Sequence, residues 1–191
     1  MSAVSIRRYL DIVQQTGSDP AQLASLQAGL DTVFFEASNT RIFASEAARA
    51  VFREQWLGRY LTHDPQWAYV ALGPSGEVAG YLVGCLDDPA VTARFSDISY
   101  FARLQDLTRR FPAHLHINLA PAFRGAGVGA TLVNRFAVDA AAARAPGVHV
   151  VTSRGSRNVD FYRRNGFCEQ GAEGEGDKER VFLGRALCGG Q

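Results

Sequence analysis

The run Arg124-Gly125-Ala126-Gly127-Val128-Gly129-Ala130 constrains this chain more than any other stretch. It lies between an apolar run that reads as a strand, 115–119, and an amphipathic segment, 127–144, whose stripe Val128, Leu132, Val133, Phe136 and Ala140 reads as a helix. Three glycines at alternating positions leave the backbone bare, so a ligand can approach the peptide N–H groups closely. The first N–H groups of the following helix have no internal partner, and with the positive end of the helix dipole they form an anion site. Arg124 places a permanent positive charge at its edge.

Glycine spacing by itself allows three readings. The first is a turn that lets helix and strand pack tightly. The second is a dinucleotide fingerprint, since Gly125, Gly127 and Ala130 fit G-x-G-x-x-G/A. It fails because the run comes late in the chain, and because the stretch about 20 residues on, 147–154, has no Asp or Glu for a ribose. A P-loop fails as well, because no Gly-Lys-Ser/Thr follows. The third is a phosphate loop of another family, and the neighbouring residues decide for it.

Those neighbours place the loop in an α/β chain. The first sixty residues read as helical, with Ile6, Leu10 and Val13 and then Leu23, Leu26 and Leu30 at helical spacing. A stronger helix is predicted over 45–61, with Ser45 as N-cap and a stripe of Ala48, Val51, Phe52, Gln55, Trp56 and Tyr60. The runs 67–72 and 78–86 flank Gly73-Pro74-Ser75-Gly76 and read as a β-hairpin. A helix over 98–111 is closed by Pro112. Beyond the loop come a buried strand over 148–152, a short helix over 159–164 ended by Asn165-Gly166, and strands near 167–169 and 180–187. Strand, helix, strand, helix, strand implies at least one parallel pair.

Within this frame "NLAPAFRGAGVGATLV", followed by "NVDFYRRNGF", resembles the GNAT acetyltransferases. In that family an apolar strand leads into Arg/Gln-x-x-Gly-x-Gly/Ala at the head of a helix, and an Asn and Phe-Tyr-x-x-x-Gly-Phe come later. The matching positions here are Arg124, Gly127, Gly129, Asn158, Phe161, Tyr162, Gly166 and Phe167. "GEVAGYLVG" resembles the family's second and third strands. "HLHINLAP", "GCLDD" and "GVHVV" are similar to bacterial acetyltransferases related to the C-terminal acetyltransferase-like domain of O-GlcNAc hydrolases.

The resemblance implies a single α/β domain over 1–191. Its sheet would be mixed and mostly antiparallel, opened by a splay between two parallel strands, here 115–119 and 148–152. It implies acetyl-CoA as cosubstrate, with the pyrophosphate on Arg124, Gly125, Ala126, Gly127, Val128, Gly129 and Ala130. The pantetheine arm would lie on the backbone of Leu119 and Ala120 and beside Asn158, and Tyr162 would be the general acid for the leaving thiolate. Spacing adds that Asn158 and Tyr162, at i and i+4, share a helix face, and a phenol is a suitable proton donor at neutral pH.

The general base has two candidates. His114, His116 and Asn118 alternate along one strand and line one face if it is regular; a bulge would switch the parity. Histidine titrates near neutrality, and His116 is the preferred base, with Asn118 beside it as a substrate contact. A similar His-x-His occurs in arylalkylamine acetyltransferases, one residue further from the arginine. His149 reads as structural. The acidic positions Glu173, Glu175, Asp177 and Glu179 read as a solvated loop ahead of a lure for cationic amines. The rival function is a GNAT-fold acyl-CoA-binding pseudoenzyme or an interaction domain without turnover.

Composition sets the remaining expectations. The 191 residues suit one well-buried domain. A net charge of +1 gives no global pull toward nucleic acid or a membrane. Cys85, Cys168 and Cys188 form no CxxC pair, which argues against structural zinc and against a disulfide framework. Residues 1–15 lack the apolar core of a signal peptide, and no apolar run approaches the roughly 20 residues that span a bilayer. A reducing cytoplasm is the expected location. The acceptor and the oligomeric state have no sequence signal.

Overall fold

Seven strands hydrogen-bond in the order β1-β2-β3-β4-β5-β7-β6 in the computed structural model, which describes residues 4–17 and 19–187. Cys188 and the first three residues of the N-terminal reading lie outside the described residues. Packing divides the chain into two units, residues 1–84 with 116–136 and residues 85–115 with 137–191, so that β4 (Ala113–Leu119) contributes to both.

In the first unit, β2 (Ala68–Leu72) and β3 (Val78–Cys85) form the expected hairpin, paired antiparallel from Ala68↔Val83. Gly76, at φ 84°, makes the turn a side chain would resist. A strand, β1 (Ser5–Arg8), pairs antiparallel with β2 where the sequence pattern suggested helix. Four edge residues are too few for a period-2 signal to outweigh the helical spacing of Ile6, Leu10 and Val13. The helices α1 (Tyr9–Thr16) and α2 (Pro20–Ala37) follow. Asp19 caps α2, its side chain accepting from the N–H groups of Ala21 and Gln22, with Pro20 in the first turn.

The helix expected over 45–61 is real but interrupted. Ser45 caps it as expected, Oγ accepting from Ala48 N–H at 3.1 Å, and α3 runs Glu46–Arg53. A π-turn then spans Glu54–Gly58 before α4 (Arg59–His63). The extra residue per turn rotates the face by about 100°. Val51 therefore leaves the apolar stripe and is 69% exposed, while Leu57 and Tyr60 are fully buried. The helix α7 (Val128–Ala142) begins in this unit, and its Val128, Leu132, Val133 and Phe136 are buried as the stripe predicts. Phe136 meets Trp67 and Tyr69 edge-on, each at 6.4 Å.

In the second unit β5 (Gly147–Ser153) pairs antiparallel with β7 (Arg180–Ala186) over its whole length, and β6 (Cys168–Glu173) closes the edge. β4 pairs parallel with β5 at only two positions, Ala113↔Val148 and His114↔His149, although both strands continue. The pairing pattern is thus the mixed, mostly antiparallel sheet with an early-ending parallel pair that the sequence implied. The helix expected over 98–111 breaks at Leu104, giving α5 (Tyr100–Arg103) and α6 (Gln105–Arg110). After α8 (Asn158–Arg164), Gly166 takes φ 82° as the left-handed residue following the helix.

His149 is structural, as expected. It is fully buried, stacks on Phe182 at 4.5 Å and donates from Nδ1 to the carbonyl of Phe111. Burial lowers its pKa from 6.5 to about 4. Between those values the unfolded chain binds the proton that the folded chain refuses, so stability rises with pH there. Urea unfolding is expected to show about 3 kcal/mol lost as pH falls from 6.5 to 4. A His149→Phe variant should lack that component of the slope.

Candidate functional site

The glycine loop has the shape the sequence suggested. Arg124 has φ −75°, Gly125 φ 80° and Gly127 φ 82°, and Ala126 between the glycines is not among the positive-φ residues. Alternating handedness turns successive N–H groups to one side, a concave nest for an anion. Gly127 C=O accepts from Thr131 N–H at 3.1 Å, which makes Gly127 the cap of α7. The N–H groups of Val128, Gly129 and Ala130 thus open the helix without intrahelical acceptors. A Cβ built on Gly125 or Gly127 meets no protein atom within 4 Å. Tight helix–strand packing therefore does not explain these glycines. Their positive φ values are what the loop conformation requires of glycine.

Arg124 does more than supply charge. Its Nε donates to Leu119 C=O at 3.0 Å, tying the loop to the end of β4. Ala120 N–H donates to Ala79 C=O, and Phe123 N–H to Ala120 C=O, each at 3.0 Å. The pantetheine role implied for Leu119 and Ala120 narrows accordingly. Ala120 N–H faces β3, so by strand alternation Leu119 N–H faces the opposite edge. Gly80 permits this close approach of β3: a Cβ there would stand 2.8 Å from Asn118 C=O.

The three polar residues of β4 have different surroundings. His114 is buried with Phe95 at 4.8 Å and His149 at 5.6 Å. His116 is half-buried, its Nε2 3.1 Å from the Tyr60 hydroxyl, with the rings of Trp56 and Tyr60 edge-on at 5.1 and 5.2 Å. Asn118 Nδ2 donates to the Tyr81 hydroxyl at 2.7 Å. Of the two histidines offered as base, His116 has the polar, partly open setting and His114 the core setting. In the sequence Trp56 and Tyr60 read only as part of an apolar helix stripe. The Tyr60 tie to His116 crosses 56 residues and leaves no local signal.

In the second unit, Asn158 is exposed at the start of α8 and Thr152 Oγ1 donates to its Oδ1 at 2.9 Å. Tyr162 is buried, its ring held by Phe161 at 5.2 Å and Phe167 at 5.5 Å. Burial pushes its pKa up, so the phenol stays protonated throughout the neutral range. Of the four acidic positions, Glu175 and Asp177 are exposed, and Glu173 and Glu179 pair with arginines. Glu173 pairs with Arg103 at 2.6 Å, and Glu179 with Arg154 at 2.7 Å. Arg154 also holds Glu169 at 2.8 Å, lowering that carboxyl and pinning the turn after β5. Among the described residues no group of three His, Cys, Asp or Glu could hold a metal, and no helix is long and apolar enough to cross a membrane.

The sheet is mixed with a parallel pair that ends early, and a glycine loop opens the helix that follows β4. The model of the acetyltransferase (GNAT) domain matches residues 66–169, more than half of the chain. The chain belongs to the GNAT acetyltransferase family. Solved structures share the fold at low identity. SsHAT is 20% identical, with TM-score 0.70, covering 98% of this chain and all of its own. Naa20 of Chaetomium thermophilum, in complex with a bisubstrate analogue, is 18% identical, with TM-score 0.58, covering 96% of this chain and 87% of its own. A phosphinothricin acetyltransferase from Sinorhizobium meliloti, in complex with AcCoA, is 19% identical, with TM-score 0.54, covering 97% and 89%.

Proposed function

We propose that this protein transfers acetyl from acetyl-CoA to an amine by direct attack. The observation that carries the reading is the nest at Arg124–Gly127 opening α7, inside a GNAT match. Bound acetyl-CoA would supply an activated acetyl thioester, and an acetyl-CoA complex is the state named for the Sinorhizobium meliloti relative. The loop N–H groups and Arg124 are suited to the pyrophosphate. Leu119 N–H is suited to the arm and to polarising the thioester carbonyl. Asn158 is a further contact for the arm.

The proton ledger closes with two side chains. His116 takes a proton from the amine as the N–C bond forms. Tyr162 donates to sulfur as the C–S bond breaks, and solvent returns the proton from imidazolium to phenolate. The raised pKa keeps Tyr162 in its donor form, and it also makes the phenol a weaker acid, so donation follows the growth of charge on sulfur. Cytoplasmic location and a single domain over 1–191 belong to the same reading.

Release of CoA from acetyl-CoA against a panel of primary amines tests it. Turnover on at least one amine, abolished by omission of the amine, is expected. Saturable acetyl-CoA binding without turnover on any amine would favour the pseudoenzyme instead.

A further inference from the structure

Two residues of β4 are each tied to the hydroxyl of a fully buried tyrosine from a different element. His116 Nε2 meets Tyr60 of α4, and Asn118 meets Tyr81 of β3. His116 and Asn118 stand at i and i+2, the spacing that puts side chains on one face of a regular strand, roughly 6–7 Å apart.

The two ties act differently. A phenol hydroxyl can donate to a neutral imidazole nitrogen or accept from a protonated one. Only the accepting role leaves His116 a base: with Nε2–H donating to the Tyr60 oxygen, Nδ1 carries the lone pair that takes the amine proton, and the tie to Tyr60 is the same before and after transfer. The rings of Trp56 and Tyr60, four residues apart across the π-turn, hold the imidazole edge-on. Asn118 is fixed by its Nδ2 donation, which commits the amide oxygen as its acceptor end. Burial raises Tyr81 and keeps that partner neutral.

We propose that Tyr60 and Tyr81 are positioning residues that set His116 and Asn118 as a paired subsite for a primary amine. This rests on His116 as base. The amine forms its bond to the acetyl carbon, gives one proton to the imidazole, and donates a second N–H to Asn118 Oδ1. A neutral secondary amine has only the N–H that it gives to the imidazole, keeps none for Asn118, and is accepted less well.

The test is side-chain nitrogen NMR on the full chain, joined to kinetics with benzylamine and N-methylbenzylamine as probes. In the wild type the His116 ring should show one tautomer. Tyr60→Phe should give a mixture, and Tyr81→Phe should shift the Asn118 amide resonances, with both variants keeping the wild-type melting temperature to within a few degrees. Tyr60→Phe should lower kcat about tenfold, and Tyr81→Phe should raise the amine KM about tenfold, with the acetyl-CoA KM unchanged in both. An unchanged His116 tautomer in Tyr60→Phe together with an unchanged Asn118 signal in Tyr81→Phe overturns the proposal, whatever the kinetics. A His116→Ala variant with full turnover would instead remove His116 as base while the NMR arm still decides the positioning. Equal kcat/KM for the two probes overturns the primary-amine subsite.

Discussion

Replacing Tyr162 by Phe is expected to lower turnover by roughly 10²–10⁴, the loss typical of a missing general acid. The ring stays between Phe161 and Phe167, so packing changes little. The melting temperature should stay near that of the wild type, because the buried ring is retained. Acetyl-CoA affinity should fall much less than the rate, because the loop and Asn158 remain. The defect should ease with an acyl donor whose thiol leaves more readily, since that donor depends less on a proton. Steady-state kinetics with two donors, beside calorimetric binding of acetyl-CoA, checks this. Unchanged turnover would make Tyr162 a core tyrosine alone, and parallel loss of binding and rate would make it a binding residue.

Gly127→Val should weaken CoA binding by at least 10–100-fold while the protein stays folded. A branched residue resists φ 82°, at a cost of about 1–3 kcal/mol. If the loop escapes the strain, the nest must be rebuilt on binding at that cost, which sets the lower figure. No protein atom opposes the new side chain, so the fold bears strain without a clash. Gly76→Val is the matched control: φ is 84°, nothing lies within 4 Å, and the site is the β2–β3 turn. It should lose stability and keep CoA affinity. Gly129→Val, outside the left-handed set, tests steric obstruction at the first turn of α7 separately. Equal binding by Gly127→Val and the wild type would place the anion site elsewhere.

The sequence read best where structure is local. The loop, its helix stripe, the β2–β3 turn and the Ser45 cap depend on residues a few positions apart, and each appears where its spacing put it. It read poorly where tertiary contacts decide. The edge strand Ser5–Arg8 exists because β2 pairs with it, and the π-turn at Glu54–Gly58 moves Val51 out of a face that period alone assigned to the core. Within the candidate site, the residues were legible and their partners were not. Arg124 reads as a phosphate ligand, and nothing in sequence says that its Nε also binds Leu119. His116 and Asn118 read as one face of a strand, while Tyr60 and Tyr81 reach them from 56 and 37 residues away. Glu173 and Glu179 read as solvated acids, and long-range arginines neutralise them.

The central claim is that the nest at Arg124–Gly127 holds the pyrophosphate of acetyl-CoA. The most direct measurement compares melting temperatures with acetyl-CoA and with pantetheine, which shares the arm and lacks the pyrophosphate. Acetyl-CoA at 100 times its dissociation constant should stabilise by about 2.7 kcal/mol. For a chain of this length that corresponds to a rise of roughly 5–11 °C. Pantetheine at equal concentration should give little or no rise. No shift with millimolar acetyl-CoA, or an equal shift with both ligands, would contradict the account.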